Sequence, residues 1–175
     1  EYFPTNNFSI PVDKNLVLKN GTVPQSMADS IVSSIDWTVN RYGVQKAQLM
    51  MLDFLAHNNW ERPVYFAANS GSSTYLGLDK YLYLEGLAYR LIPVKIPTDS
   101  LETSETGGVN TGVMYNNMMS KFKWGNIDDT NLYIDETVSG TASSLRQAFD
   151  LLGKALALEG KEDSAVKVLD KCQQI

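Results

Sequence analysis

The run Asn69-Ser70-Gly71-Ser72-Ser73-Thr74 is the stretch best suited to hold a ligand, a string of short polar residues between two apolar segments. With Val64–Ala68 as a strand and Tyr75 opening a helix, it lies at a strand's carboxyl end and on a helix N-terminus. There, free N–H groups and the helix dipole favour an anion, and α/β sheets place their ligands at that position. A sugar or phosphate is the ligand class expected of Asn69, Ser70, Gly71, Ser72, Ser73 and Thr74. Serine and threonine before a helix are also ordinary caps, so the pattern leaves both readings open.

Other residues with chemical potential are few. His57 is the only histidine, which excludes a histidine-rich metal site. Its place at the end of a helical segment suits a residue facing the negative end of the dipole. Cys172 is the only cysteine and reads as a small buried hydrophobe in a helical pair. Asn126-Ile127-Asp128-Asp129-Thr130-Asn131 resembles a calcium loop only at its start. Asn131 stands where glycine is needed and Thr137 where the bidentate glutamate is needed. No GxSxG, P-loop, HExxH or GxGxxG string occurs, so no catalytic residue, metal or cofactor is assigned. Asn58-Asn59-Trp60-Glu61-Arg62 could show a sugar a polar, aromatic surface, or could be a turn whose Trp60 packs on the core.

Composition bounds the rest. The chain has 175 residues, 43% hydrophobic and 20% charged, with a net charge of −5. That length supports a core without metal or disulfides. The acidic balance, with no basic run, disfavours nucleic acid as a partner. No apolar run approaches the roughly 20 residues of a membrane span. The chain opens on Glu1 rather than Met and ends at Ile175 within a helical pattern, so it reads as a fragment of a longer protein.

The elements follow from periodicity. Residues 1–12 suit an extended lead-in, and Asp13 can cap a short helix over Lys14–Lys19 that stops at Asn20-Gly21. Ile35, Trp37 and Val39 alternate with polar neighbours, as in a strand with one wet face. From Gly43 the apolar positions Val44, Ala47, Met50, Met51, Phe54 and Leu55 cover more than one helical face, which predicts a helix buried on most sides. A strand from Pro63, a helix from Tyr75 to Gly86 and a strand over Leu87–Lys95 follow. This alternation predicts an α/β fold, a small mainly parallel sheet with crossover helices, with α+β as the alternative. Residues 1–125 form the α/β body, and 126–175 an acidic connection and an α-helical hairpin.

Residues 149–172 match the tetratricopeptide pattern of two antiparallel helices. Phe149 takes the large aromatic position, Leu152-Gly153 and Leu156 follow, Gly160 turns the chain, and Ala165 and Leu169 complete the spacing. Small residues at 153 and 165 would let the helices approach closely. One such unit cannot bury its own face, so it must pack on the body or begin an array.

The strings Leu52-Asp53-x-Leu55-Ala56-x-Asn58-Asn59-Trp60-x-Arg62-Pro63-Val64-Tyr65-Phe66-Ala67, Leu84-Glu85-Gly86-Leu87-Ala88-Tyr89-Arg90-Leu91 and Met114-Tyr115-Asn116-Asn117-Met118-Met119 carry a resemblance. They resemble a bacterial family of multi-spanning membrane proteins likened to protein O-mannosyltransferases. The resemblance covers most of residues 8–125. It implies that this chain is the soluble periplasmic part of an inner-membrane protein whose catalytic carboxylate lies in the membrane portion. The Asp-Ser-apolar triplets at Ser30, Ser100 and Ser164 resemble the acceptor of a periplasmic O-glycosylation system, with Ser100 and Ser30 the candidate acceptors. At Ser164 a sugar would collide with a helix start that the serine caps.

Three functions are therefore expected. The first is a non-catalytic periplasmic accessory domain that positions protein partners or acceptors. Its partners would be its own membrane-embedded N-terminal part and, through the hairpin, other periplasmic proteins. The second is a sugar- or phosphate-binding module at residues 69–74. The third is a purely structural cap of the membrane part.

Overall fold

Alternating residues produce the first strand pair. The computed structural model describes residues 5–39, 44–96, 106–125, 129, 131, 133 and 135–174. In it β1 (Asn7–Pro11) and β2 (Ser34–Thr38) pair antiparallel, with Phe8 opposite Trp37 and Ile10 opposite Ile35. The Phe8 and Trp37 rings stack at 5.5 Å, while Asn7 and Asp36 line the wet face. Between the strands, the Asp13 carboxylate accepts from the Asn15 and Leu16 N–H groups and caps α1 (Lys14–Lys19).

The second sheet has the order β3-β5-β4-β6, from β3 (Tyr65–Ala67), β4 (Leu82–Leu84), β5 (Ala88–Leu91) and β6 (Gly108–Val109). Two of its three pairings are antiparallel, and only β4 with β6 is parallel. This overturns the mainly parallel sheet with crossover helices, and the α+β alternative fits. No α-helix forms between Tyr75 and Gly86. Short 3-10 turns at Ser72–Tyr75 and Asp79–Tyr81 lead into β4, and Leu76 adopts a left-handed φ of 55°. Tyr75, Leu76, Leu78 and Leu82 are all buried. Most of this run is buried, with only Gly77, Asp79 and Lys80 reaching the surface, so few polar positions mark its period and its spacing mimics a helix.

Where a crossover was expected, β4 and β5 form a tight hairpin, and the Glu85 N–H donates to the Ala88 carbonyl at 3.0 Å. Gly86 takes φ +136°, and a Cβ there would lie 2.9 Å from the Phe122 ring. Only glycine suits that turn.

Two helices flank the sheet. Gln45 and Gln48 make a capping box for α2 (Lys46–His57), which buries only Gln48, Leu52 and Leu55. The expectation of a helix buried on most sides fails, because Met50 and Phe54 stand in solvent. In α3 (Thr111–Asn116), Asn110 is the cap and a wider turn over Asn117–Lys121 continues the helix, burying Met114 and Met118.

The C-terminal hairpin is present as α4 (Glu136–Leu158) and α5 (Glu162–Gln173). A Cβ on Gly153 would sit 3.1 Å from a Leu169 methyl, the close approach expected of a small residue there. The hairpin packs on the body. The Phe149 ring lies 5.3 Å from that of Trp124, the Thr111 hydroxyl donates to the Glu159 carboxylate at 2.9 Å, and one apolar cluster runs through both parts. Among the described residues no helix is long and apolar enough to cross a membrane.

Because Phe149 is fully buried in that shared cluster, Phe149→Ala should cost about 3–5 kcal/mol in urea denaturation. It should shift the body's transition as well as the hairpin's. A body signal that melts at its original midpoint would show that the two parts are independent.

Candidate functional site

The polar run 69–74 lies on the surface after β3, but the helix N-terminus expected behind it is not there. Residues Ala68–Ser70 and Ser72–Tyr75 are single 3-10 turns. The polar atoms turn inward on their own backbone. The Ser70 hydroxyl donates to the Ala67 carbonyl at 2.7 Å and the Thr74 hydroxyl to the Ser70 carbonyl at 2.9 Å. Tyr75 is 2% exposed, with its ring edge-on to Phe66 and its hydroxyl on the Ala68 carbonyl. Asn69, Ser70, Gly71, Ser72 and Ser73 remain accessible, with Thr74 half-buried.

Of the acceptor triplets, Ser30 is exposed at the end of a 3-10 turn over Gln25–Ser30. Ser100 lies outside the described residues. Ser164 does not cap α5, because Lys161 occupies the cap and Ser164 sits in the first turn. Cys172 is half-buried between the two helices, with its thiol 3.8 Å from the Arg146 carbonyl. Burial pushes that thiol's pKa up, the direction of an unreactive cysteine.

The Asn58–Arg62 string is a strained turn. Asn59 and Trp60 both have positive φ, 45° and 60°, a conformation that costs of order 1–3 kcal/mol for a residue such as Trp. Burial holds it in place. Trp60 packs in the core, its indole N–H donates to the Pro11 carbonyl at 2.9 Å, and Asn20 donates to the Trp60 carbonyl at 2.6 Å. Trp60 is therefore a core anchor, as the simpler of its two readings had it. The turn carries Glu61 and Arg62 to the surface beside the end of α2.

There they help line an open cleft of about 440 Å³, together with Met50, Asp53, Phe54, His57 and Asn58. Met50 is 65% exposed and Phe54 48%. His57 Nδ1 lies 2.9 Å from the Asp53 carbonyl and 3.3 Å from its carboxylate. Among the described residues neither Glu61 nor Arg62 is in an ion pair. An apolar floor rimmed by free charges can grip a partner. Among the described residues no cluster suits a metal ion. This cleft was missed as a unit because Met50 and Phe54 read as core. The excess of apolar residues over one helical face was the signal available.

A second cluster also escaped the sequence reading. Glu85 is 8% exposed, and its carboxylate accepts from the Tyr65 hydroxyl at 3.1 Å and the Asn110 amide at 3.0 Å. Arg90 stands 3.8 Å away, donates to the Gly21 carbonyl and lies over the Tyr65 ring. The Asn117 amide donates to the Glu85 carbonyl at 2.7 Å. The Tyr65 phenol is pushed above its ordinary value of 10.0, first by burial and then by the Glu85 charge, with Arg90 opposing.

The fold and surface thus define a small α+β domain with a docked helical pair and an uncovered cleft. The family model for TMEM260-associated domain 2 matches residues 1–113, and the chain belongs to that family. TMEM260 is an O-mannosyltransferase-like membrane protein, so the resemblance read from the sequence holds at that level. A family of associated domains is compatible with a chain that is not itself the enzyme. No curated protein matches the chain, and no solved structure does.

Glu85→Ala would take the carboxylate acceptor from the Asn110 amide and the charge partner from Arg90, while half-exposed Tyr65 can turn to water, and should cost about 1–3 kcal/mol by urea denaturation. A loss below about 1 kcal/mol, the value of a surface pair, would contradict the buried geometry. The Tyr65 phenol adds an alkaline signature. Its native pKa stands above the unfolded 10.0, so the unfolded chain ionises first. This contribution is complete below that pH and is lost as pH rises through the native value. Tyr65→Phe should flatten that part of the alkaline stability curve, and an unchanged curve would rule the phenol out.

Proposed function

We propose that this chain is a non-catalytic accessory domain of an O-mannosyltransferase-like membrane protein, acting in the bacterial periplasm to position protein partners or acceptors. The observation that carries the reading is the outer face of the hairpin. Phe149, Leu152, Leu156, Ala165 and Val168 are spent on the core, yet Leu158, Val166 and Leu169 remain on the surface. A helical pair of the tetratricopeptide kind buries its remaining face against a neighbour, and arrays of such pairs serve protein binding. The parent's membrane-embedded part and a second periplasmic protein are the two partners in view.

A photo-crosslinking residue at Val166 in the full-length parent should give a discrete adduct with one of these, and the same group at exposed Lys154 should not. Equal labelling at both positions, or none at Val166, would remove the hairpin from the reading. Sugar transfer or hydrolysis by the isolated chain would remove its non-catalytic part.

A further inference from the structure

Asn20-Gly21 is the only Asn-Gly pair in the chain, and this is the pairing most prone to spontaneous deamidation. The Gly21 backbone nitrogen attacks the Asn20 side-chain carbonyl carbon and gives up its proton, and the side-chain amide leaves as ammonia. Water then opens the resulting succinimide at either carbonyl, leaving aspartate or isoaspartate. Glycine favours the attack because it has no side chain in the way and its backbone turns freely.

In this fold every group that the reaction needs is occupied. The Asn20 amide donates to the Trp60 carbonyl at 2.6 Å, and its oxygen accepts from the Thr22 N–H at 2.9 Å. The Gly21 N–H donates to the Leu18 carbonyl at 3.3 Å, and the Gly21 carbonyl accepts from Arg90 at 3.1 Å. The Asn20 ψ of 0° turns the Gly21 nitrogen toward the Asn20 nitrogen instead of the side chain. Both residues lie at the surface, so bonding and backbone angle, not burial, keep the pair unreactive.

The same bonds tie the pair to the strained turn at Trp60 and to Arg90 beside Glu85. Ionised aspartate at position 20 has no hydrogen to donate, and would face the Trp60 carbonyl as acceptor against acceptor. Isoaspartate would also lengthen the backbone between α1 and Gly21.

We propose that Asn20 is a deamidation site that the fold keeps shut and that opens when the Trp60 turn lets go. A molecule whose turn has stayed open is then marked. Its converted side chain cannot renew the bond to Trp60, and the turn closes less firmly than before. The inference uses no part of the accessory-domain reading and stands apart from it.

The test incubates the 175-residue chain at mildly alkaline pH, folded in buffer and unfolded in urea. Mass spectrometry follows conversion of the peptide that carries Asn20. The unfolded chain should convert at least about tenfold faster, since the folded chain reacts only through local opening. Trp60→Phe keeps an aromatic ring but loses the N–H bond to Pro11. It should convert faster than the wild type while circular dichroism shows it folded. Asn20→Asp makes one product directly and should unfold at a lower urea concentration than the wild type. Equal conversion of folded and unfolded chain, a folded Trp60→Phe variant no faster than the wild type, or an unchanged urea midpoint for Asn20→Asp would each overturn the proposal. The first and third measurements hold whether or not Trp60→Phe folds.

Discussion

A carboxylate withdrawn from water must find donors, and in this fold Glu85 finds them on separate elements. Tyr65 comes from the edge strand β3, Arg90 from β5, and Asn110 from the turn that starts α3. Asn117, at the end of α3, takes the carbonyl of the same residue. Without these partners the charge would be unaffordable in the interior. With them, it joins strand edge, hairpin turn and helix, and Thr111, next to Asn110, holds Glu159 at the turn of the C-terminal pair. The Glu-Gly-Leu-Ala-Tyr-Arg string thus has a physical meaning: glycine makes the turn under Phe122, glutamate and arginine close the network, and tyrosine fills the core.

A second string that carries the resemblance, Asn-Asn-Trp-Glu-Arg, works by a different constraint. Trp60 is held in an unfavourable backbone conformation because its ring and its N–H are both satisfied inside. The strain fixes the direction of the chain at the end of α2, and Glu61 and Arg62 stand beside Met50 and Phe54 as a result. The core side of this turn is structural, and its outer side borders the open cleft. The same short string therefore serves scaffold and surface together.

Much of the local structure was legible in the residues. The Asp13 cap, the period-two strand at Ile35 and Trp37, the α2 helix and the C-terminal pair with its close approach at Gly153 all follow from spacing within one element. Of the candidate site, Asn58–Arg62 stood out as a turn and α2 as a helix with too many apolar positions for one face. The helix expected behind the loop at Asn69–Thr74 does not form, because Tyr75, Leu78 and Leu82 are spaced like a helix but are buried in turns and a strand.

What the sequence by itself determined is the set of elements whose period contrasts an apolar side with a polar one. What only the tertiary structure decided is everything that depends on contacts far along the chain. That includes the mixed pairing of the sheet, the partners of Glu85, and which apolar face of α2 goes inward. The physical reason is that hydrophobic burial is non-directional. A side chain's apolar character shows that it gains from cover, but only its surroundings supply the cover, and Met50 and Phe54 stay 65% and 48% exposed.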